Sequence, residues 1–229
     1  MNWITLAFRN LLRNTRRSIN TVAAVALGFA AVNIFAGFSD YMFLSIRQAY
    51  IYDQANCHVQ IWRNDGRIYG GTDPANYLLS AEEYASIQTF ANHDDRIQLA
   101  AGMLEVRGNV DLDGAQSFFL GRALVPSVQE LIRERATAVR GKNKNPYTGR
   151  PITDDTPSGI GMSEGMQKQF GIEIGDEIIL MGPDVTGQLN AIPAEVHQFM
   201  GLASKVLNSS FIYMTLELAH AFYSTDGVS

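Results

Sequence analysis

The feature that most constrains this chain is Ile19–Phe38, INTVAAVALGFAAVNIFAGF, 20 residues without a charge. As a helix rising 1.5 Å per residue it covers about 30 Å, the thickness of a bilayer's hydrocarbon core. A buried core helix is the alternative, but such helices seldom reach this length and need no basic flank. The flank here is strongly basic. Arg9, Arg13, Arg16 and Arg17 precede the segment, residues 1–39 contain no acid, and Asp40 follows it. This asymmetry predicts a cytoplasmic N-terminus and an extracytoplasmic remainder. A cleavable signal peptide would have a shorter apolar region and no structured stretch ahead of it, so a retained membrane anchor is expected.

The stretch ahead of the anchor is patterned. Ile4, Phe8, Leu11 and Leu12 recur at helical spacing beside Trp3, with Arg9 and Arg13 on other positions. Residues 1–18 are therefore expected to form an interfacial amphipathic helix and basic elbow, residues 19–38 the spanning helix. Phe43, Ile46 and Tyr50 keep one face apolar beyond Phe38, and no Gly or Pro interrupts 39–56, so the helix is expected to continue to about Ala55 as a stalk. Ala24 and Gly28 form a small-xxx-small pair, and Asn33 lies deep in the span; these three suit packing on a second helix.

Composition constrains the remainder. Of 18 Lys and Arg the first 39 residues hold four, leaving 14 bases against 23 acids, a net of −9. An acidic body is repelled by phosphate, so nucleic acid is not an expected partner. The single Cys57 excludes an internal disulfide and a multi-cysteine metal site. The mean hydropathy of −0.04 averages an apolar head with a polar body.

Residues 56–229 read as a mixed α+β domain, without a regular βαβ rhythm. Cys57–Trp62 alternates like a strand and ends at the turn Asn64-Asp65-Gly66, with a polar loop to Leu79. Ser80 with Glu83 forms a capping box at the start of a helix. Residues 97–107 and 115–120 read as extended, with Asp113-Gly114 a hairpin signal, and Val125–Arg140 as a helix opened by Pro126. Residues 141–159 read as a mobile polar loop. A helix at Glu164–Phe170, capped by Gly171, leads through the turn Gly175-Asp176 to a strand at Glu177–Met181. Strands at Val196–Leu202 and Phe211–Thr215 and a helix at Leu216–Tyr223 complete the pattern.

No pattern carries catalysis. His58, His93, His197 and His220 are scattered, with no metal-ligand spacing, and no phosphate-binding GxxxxGK[ST] occurs. Cys57 and His58 point to opposite sides of an extended chain. The run Asn109-Val110-Asp111-Leu112-Asp113-Gly114 is similar to the start of a calcium loop, but its twelfth position is Leu120, and a hairpin accounts for it. No catalytic residue, metal or cofactor is expected.

Three stretches together resemble ABC-transporter permeases of the FtsX-like family with a MacB-type extracytoplasmic core domain. The first is the elbow Asn10-Leu11-Leu12-Arg13-Asn14-Thr15-Arg16-Arg17 leading into the span. The second is Gly161–Leu180, GMSEGMQKQFGIEIGDEIIL, with Gly171, Gly175 and Asp176 where the family has its turn. The third is Phe211–Phe222, FIYMTLELAHAF, similar to the strand and helix near the end of that core domain. The general look is closer to the lipoprotein-releasing permeases than to the division-linked ones, and residues 141–159 match no family element. The resemblance implies a non-enzymatic permease subunit of the inner membrane. Its expected partners are a separate cytoplasmic ABC ATPase, a second permease copy or paralogue, and the lipid bilayer. The stalk would transmit ATP-driven movement to the outer domain, which handles a lipoprotein, lipid, peptide or drug. The family has three further spanning helices; a chain ending at Ser229 reads as its N-terminal portion, with the core domain incomplete at its C-terminus. The alternative is a single-pass anchored binding or sensor module without an ATPase; an anchored hydrolase lacks any supporting constellation.

Overall fold

The computed structural model describes residues 15–112, 114–140, 147–201 and 205–228, together with Trp3, Thr5, Arg9 and Arg13. The chain divides into two compact units, Met1–Gln54 and Ala55–Ser229.

The first unit is built on α1 (Thr15–Gln48), 34 residues and therefore about 51 Å long. A π-helical turn, Ala49–Asp53, follows it. The regular α-helix thus stops several residues short of the expected Ala55, which itself has a left-handed φ of 52°. The helix is long and apolar enough to cross a membrane, and none of its most apolar window is buried. Val25, Phe29, Val32, Ile34 and Phe35 all stand exposed. Its polar side chains turn back on the helix: Thr21 Oγ1 donates to the Arg17 carbonyl at 3.0 Å and Asn33 Nδ2 to the Phe29 carbonyl at 2.7 Å. Bonds of this kind satisfy a polar group where no water is present.

The second unit is a mixed α+β domain. Short helices α2 (Gly66–Tyr69) and α3 (Pro74–Tyr77) precede α4 (Ala81–Asn92). The capping box opens α4 as its residues require: Ser80 Oγ accepts from Glu83 N–H, and Glu83 Oε2 accepts from Ser80 N–H. Then come β1 (Leu104–Leu112), β2 (Ala115–Leu124) and α5 (Pro126–Arg140). They are followed by β3 (Tyr147–Gly149), β4 (Gly159–Ser163), α6 (Glu164–Phe170) and β5 (Glu177–Pro183). The last elements are β6 (Leu189–Met200), α7 (Lys205–Asn208), β7 (Phe211–Thr215) and α8 (Leu216–Tyr223).

The strands pair in the order β3-β6-β4-β7-β2-β1-β5, and β5 pairs again with β6. Six strands, β4-β7-β2-β1-β5-β6, therefore close into a ring, with β3 added on β6. The long strand makes closure possible. Residues 189–195 of β6 run antiparallel to β5, residues 195–200 run parallel to β4, and Glu195 is opposed by both Glu177 and Gly159. The β2–β7 pair is parallel as well, and the remaining pairs are antiparallel. Val106, Val110, Phe119, Ile160, Met162, Ile178, Leu180, Ile212 and Met214 are wholly buried and form the core.

Helix α8 supplies the aromatic part of that core. Phe222 packs edge-on to Phe119, with ring centroids 6.0 Å apart. Its ring lies where β1 and β5 both carry glycine: a Cβ on Gly182 would meet Phe222 Cζ at 2.8 Å and one on Gly108 would meet it at 3.0 Å. The C-terminal carbonyls of α8 are held by β6, because Asn190 Nδ2 donates to Ala221 O and Phe222 O, each at 2.9 Å. Tyr223 Oη accepts from the Arg107 N–H at 3.0 Å.

Several expectations are corrected. Cys57–Trp62 is not a strand: its apolar Val59 and Ile61 are exposed, and among the described residues no strand pairs with it. The extended run 97–107 becomes a strand only at Leu104, where β2 supplies a partner. The segment 141–159 contains β3, and an internal Thr153–Thr156 turn with two side-chain bonds; its residues 141–146 lie outside the described residues. Strand β4 was not expected at all. Strand β6 begins seven residues before Val196, and the expected end, Leu202, lies outside the described residues.

Among the described residues the first half of β6 has no strand on its second edge. Pro193 offers no N–H there, and the Ala191 N–H is taken by Asn190 Oδ1 at 2.9 Å. An edge blunted in this way does not recruit a further strand. The close fit around Phe222 makes a quantitative test. Phe222→Ala is expected to lower stability of the second unit by about 3–5 kcal/mol in denaturant unfolding of the detergent-solubilised chain. A loss below about 1 kcal/mol would show that the ring does not depend on this aromatic.

Candidate functional site

The residues singled out from sequence fall in two places. Arg9 and Arg13 are each helical and exposed, and Arg16 and Arg17 open α1, also exposed. Among the described residues no carboxylate pairs with any of them. The next charge along α1 is Asp40, more than five helical turns later. Ala24 and Gly28 lie one turn apart on the exposed surface of α1, and a Cβ added to Gly28 would meet nothing within 4 Å. Asn33 is exposed with its amide on Phe29 O.

Gly171, Gly175 and Asp176 come together between α6 and β5. Gly171 ends α6 in the left-handed region, φ 68°, its N–H donating to Gln167 O at 2.8 Å. Gly175 has φ 99°, which side chains rarely adopt, and its N–H donates to Val196 O at 2.8 Å. Asp176 closes the turn twice: Oδ2 accepts from Glu173 N–H at 2.8 Å, and its carbonyl accepts from Val196 N–H at 2.9 Å. The three residues thus seat the start of β5 on β6. Their geometry is that of a structural turn, with no group directed at a ligand.

A polar cluster that sequence reading missed sits next to this turn. In the β4–β6 register Ile160 faces Val196 and Gly161 faces Gln198, so His197 is the bulged residue. A bulge re-aims side chains, and here it buries the imidazole. His197 Nε2 lies 3.4 Å from Glu195 Oε2, and Arg150 Nη2 donates to Glu195 Oε1 at 2.6 Å. The Arg150 backbone N–H donates to His197 O at 2.8 Å, which joins the end of β3 to the bulge. The hydrogen bond from Arg150 holds the Glu195 carboxyl below its usual 4.5, with burial opposing and His197 adding to the depression. Alternating spacing places Glu195 and His197 on one face of a strand, but only the β4 register shows that a bulge separates them.

Two other histidines have local partners, whereas the Ser163 hydroxyl, buried at the end of β4, makes no hydrogen bond among the described residues. His93 Nδ1 contacts Thr89 O at 2.7 Å and His220 Nε2 contacts Gly227 O at 3.2 Å. Asp111 caps the β1–β2 hairpin, accepting from Gly114 N–H at 3.0 Å and Gln116 Nε2 at 3.1 Å, which answers the calcium-like spacing with a turn. Burial pushes the Cys57 thiol up, away from the reactive thiolate. Among the described residues no three His, Cys, Asp or Glu side chains gather as a metal site.

No family model matches the sequence, and no curated protein does. Solved structures do. The chain is similar to the extracellular domain of the noncanonic ABC-type transporter YknZ from Gram-positive bacteria, at 14% identity and a TM-score of 0.44, covering 70% of this chain and 73% of that one. It is similar also to the periplasmic region of MacB from Actinobacillus actinomycetemcomitans, at 12% identity and a TM-score of 0.45, covering 67% of this chain and 63% of that one. Both neighbours are extracytoplasmic domains of the kind that the sequence motifs resemble. At these values the likeness assigns no site and no activity.

Two measurements follow. Glu195 has a depressed carboxyl in the fold, so its contribution to stability is complete above about pH 4.5 and disappears as the pH falls below that value. A urea titration across this range should therefore show a decline that Glu195→Gln removes in part. An identical acid profile in the variant would assign the decline to other carboxylates. At Gly171, where a Cβ would meet nothing within 4 Å, only backbone strain is at stake. Gly171→Ala should cost about 1–2 kcal/mol, and Gly171→Asn less, because asparagine tolerates the left-handed region.

Proposed function

We propose that the chain is the N-terminal portion of an ABC-transporter permease of the FtsX-like type, anchored in the cell (inner) membrane with residues 56–229 outside. It is a non-catalytic subunit, driven by a separate cytoplasmic ATPase and acting beside a second permease copy or paralogue. The observation that carries the reading is the order of the three family-like stretches together with what each becomes. The basic elbow opens an apolar helix with no buried face. Gly161–Leu180 runs through β4, α6, the glycine turn and β5. Phe211–Phe222 forms β7 and α8, the pair that closes the core. An apolar helix of this length exposed to water would be a large aggregation-prone surface, and a bilayer removes that cost.

In this reading α1 is a lever. ATP-driven closure of the ATPase moves the helix at its cytoplasmic end, and an unbroken helix passes displacement to the outer domain, which releases or expels a lipoprotein, lipid, peptide or drug. Ladder hydrogen bonds make the lever stiff. Ala31→Pro removes one of them and drives its ring into the preceding turn, a cost of about 3 kcal/mol or more. The variant should lose ATP-dependent transport while its outer domain unfolds at an unchanged denaturant midpoint. Normal transport by that variant would overturn the lever.

Topology is tested separately. Gln188 is exposed on the β5–β6 turn, so Gln188→Cys in a Cys57→Ser background offers one accessible thiol. A membrane-impermeant maleimide should label it on intact spheroplasts. Labelling only after lysis would place the domain in the cytoplasm and overturn the reading.

A further inference from the structure

We infer that the four arginines before the span form a binding site for the phosphate groups of anionic phospholipids in the cytoplasmic leaflet. The inference rests on the membrane-spanning reading of α1 and deepens it. On helical periodicity Arg9, Arg13, Arg16 and Arg17 recur at i, i+4, i+7 and i+8, and their directions fall within an arc of about 100°. The apolar Ile4, Phe8, Leu11 and Leu12 fall by the same periodicity on a separate arc, which borders the arginines at Leu12. The arginines are thus a basic stripe rather than a scattered flank, and Arg9, Arg13, Arg16 and Arg17 are all exposed.

Charge complementarity selects the occupant. Residues 1–39 hold no carboxylate, so nothing on this part of the chain neutralises the stripe. The acids of the chain begin at Asp40, at the other end of the span. An anion supplied by the surroundings is needed, and for a segment joined directly to an apolar span that anion is the lipid headgroup. Guanidinium suits the task because its planar fork binds a phosphate through two parallel N–H bonds. At a helical rise of about 1.5 Å per residue Arg9 and Arg17 would lie about 12 Å apart, more than one phosphate spans, so the stripe engages two phosphates. These belong to two neighbouring singly charged lipids or to one lipid with two phosphates. Asn20 continues the arc into the first turn of the span and gives the headgroup region an amide partner. Positive-inside orientation needs only the sum of charges, whereas a lipid site needs their alignment on one face.

The test uses the full chain in nanodiscs of phosphatidylcholine containing about one-fifth phosphatidylglycerol, with insertion checked first by recovery of the chain in the lipid-bound fraction. Lipids retained after limited delipidation are quantified by mass spectrometry. The wild type should retain phosphatidylglycerol well above its bulk share. Each arginine is worth about fivefold near an anionic surface, so Arg13→Gln with Arg16→Gln should lower the enrichment at least tenfold. The matching lysine pair keeps the charge and secures insertion, and should retain enrichment above that of the glutamine pair. Raised salt should weaken the enrichment without releasing the chain. A wild type that inserts and retains the bulk lipid ratio would overturn the lipid site and leave the spanning reading standing. Equal enrichment in the glutamine pair would also overturn it, by showing that the stripe is not the site. A wild type that does not insert would overturn both readings together.

Discussion

The second unit depends on β6 being long enough to serve two neighbours in succession. Its first half hydrogen-bonds β5 and its second half β4 and β3, and the ring of six strands closes at Glu195, which is opposed from both sides. Much else is arranged around that junction. The Gly175-Asp176 turn exists to place β5 against Val196, the bulge at His197 lets the parallel β4 register continue, and the Arg150–Glu195 contact fastens β3 to the same stretch. Closure also removes most sheet edges, and the half-edge that remains carries Pro193 and the self-capped Ala191.

The first unit has a different pattern. Its helix exposes aromatic and branched side chains on every side and returns Thr21 and Asn33 to its own backbone. The second unit alternates exposed and buried positions along its strands, most clearly in β1 and β5. Both patterns are read with one rule, that polar groups need partners and apolar groups need to leave water.

Features with local causes were legible in advance. The capping box at Ser80, Pro126 at the head of α5, the Gly171 cap, the Gly175-Asp176 turn and the hairpin around Gly114 were all visible in a few neighbouring residues, because each is set by φ preference or a bond three residues away. The misreadings share a cause too. Cys57–Trp62 has strand-like alternation, and among the described residues no strand pairs with it. Gly159–Ser163 has no alternation because it is buried on both faces between β6 and β7. The His197 cluster depends on a register shift between strands whose partners change from Ile160 and Val196 to Gly161 and Gln198, which no local pattern encodes.

By itself the sequence determined the long apolar helix, its basic flank, the helix caps and the tight turns. All of these are settled by charge, length and backbone preference within a few residues. The tertiary structure alone decided which extended segments became strands, how far β6 reaches, and that Phe222 seals the ring over Gly108 and Gly182. A strand is defined by the partner it finds, and the partner lies elsewhere in the chain.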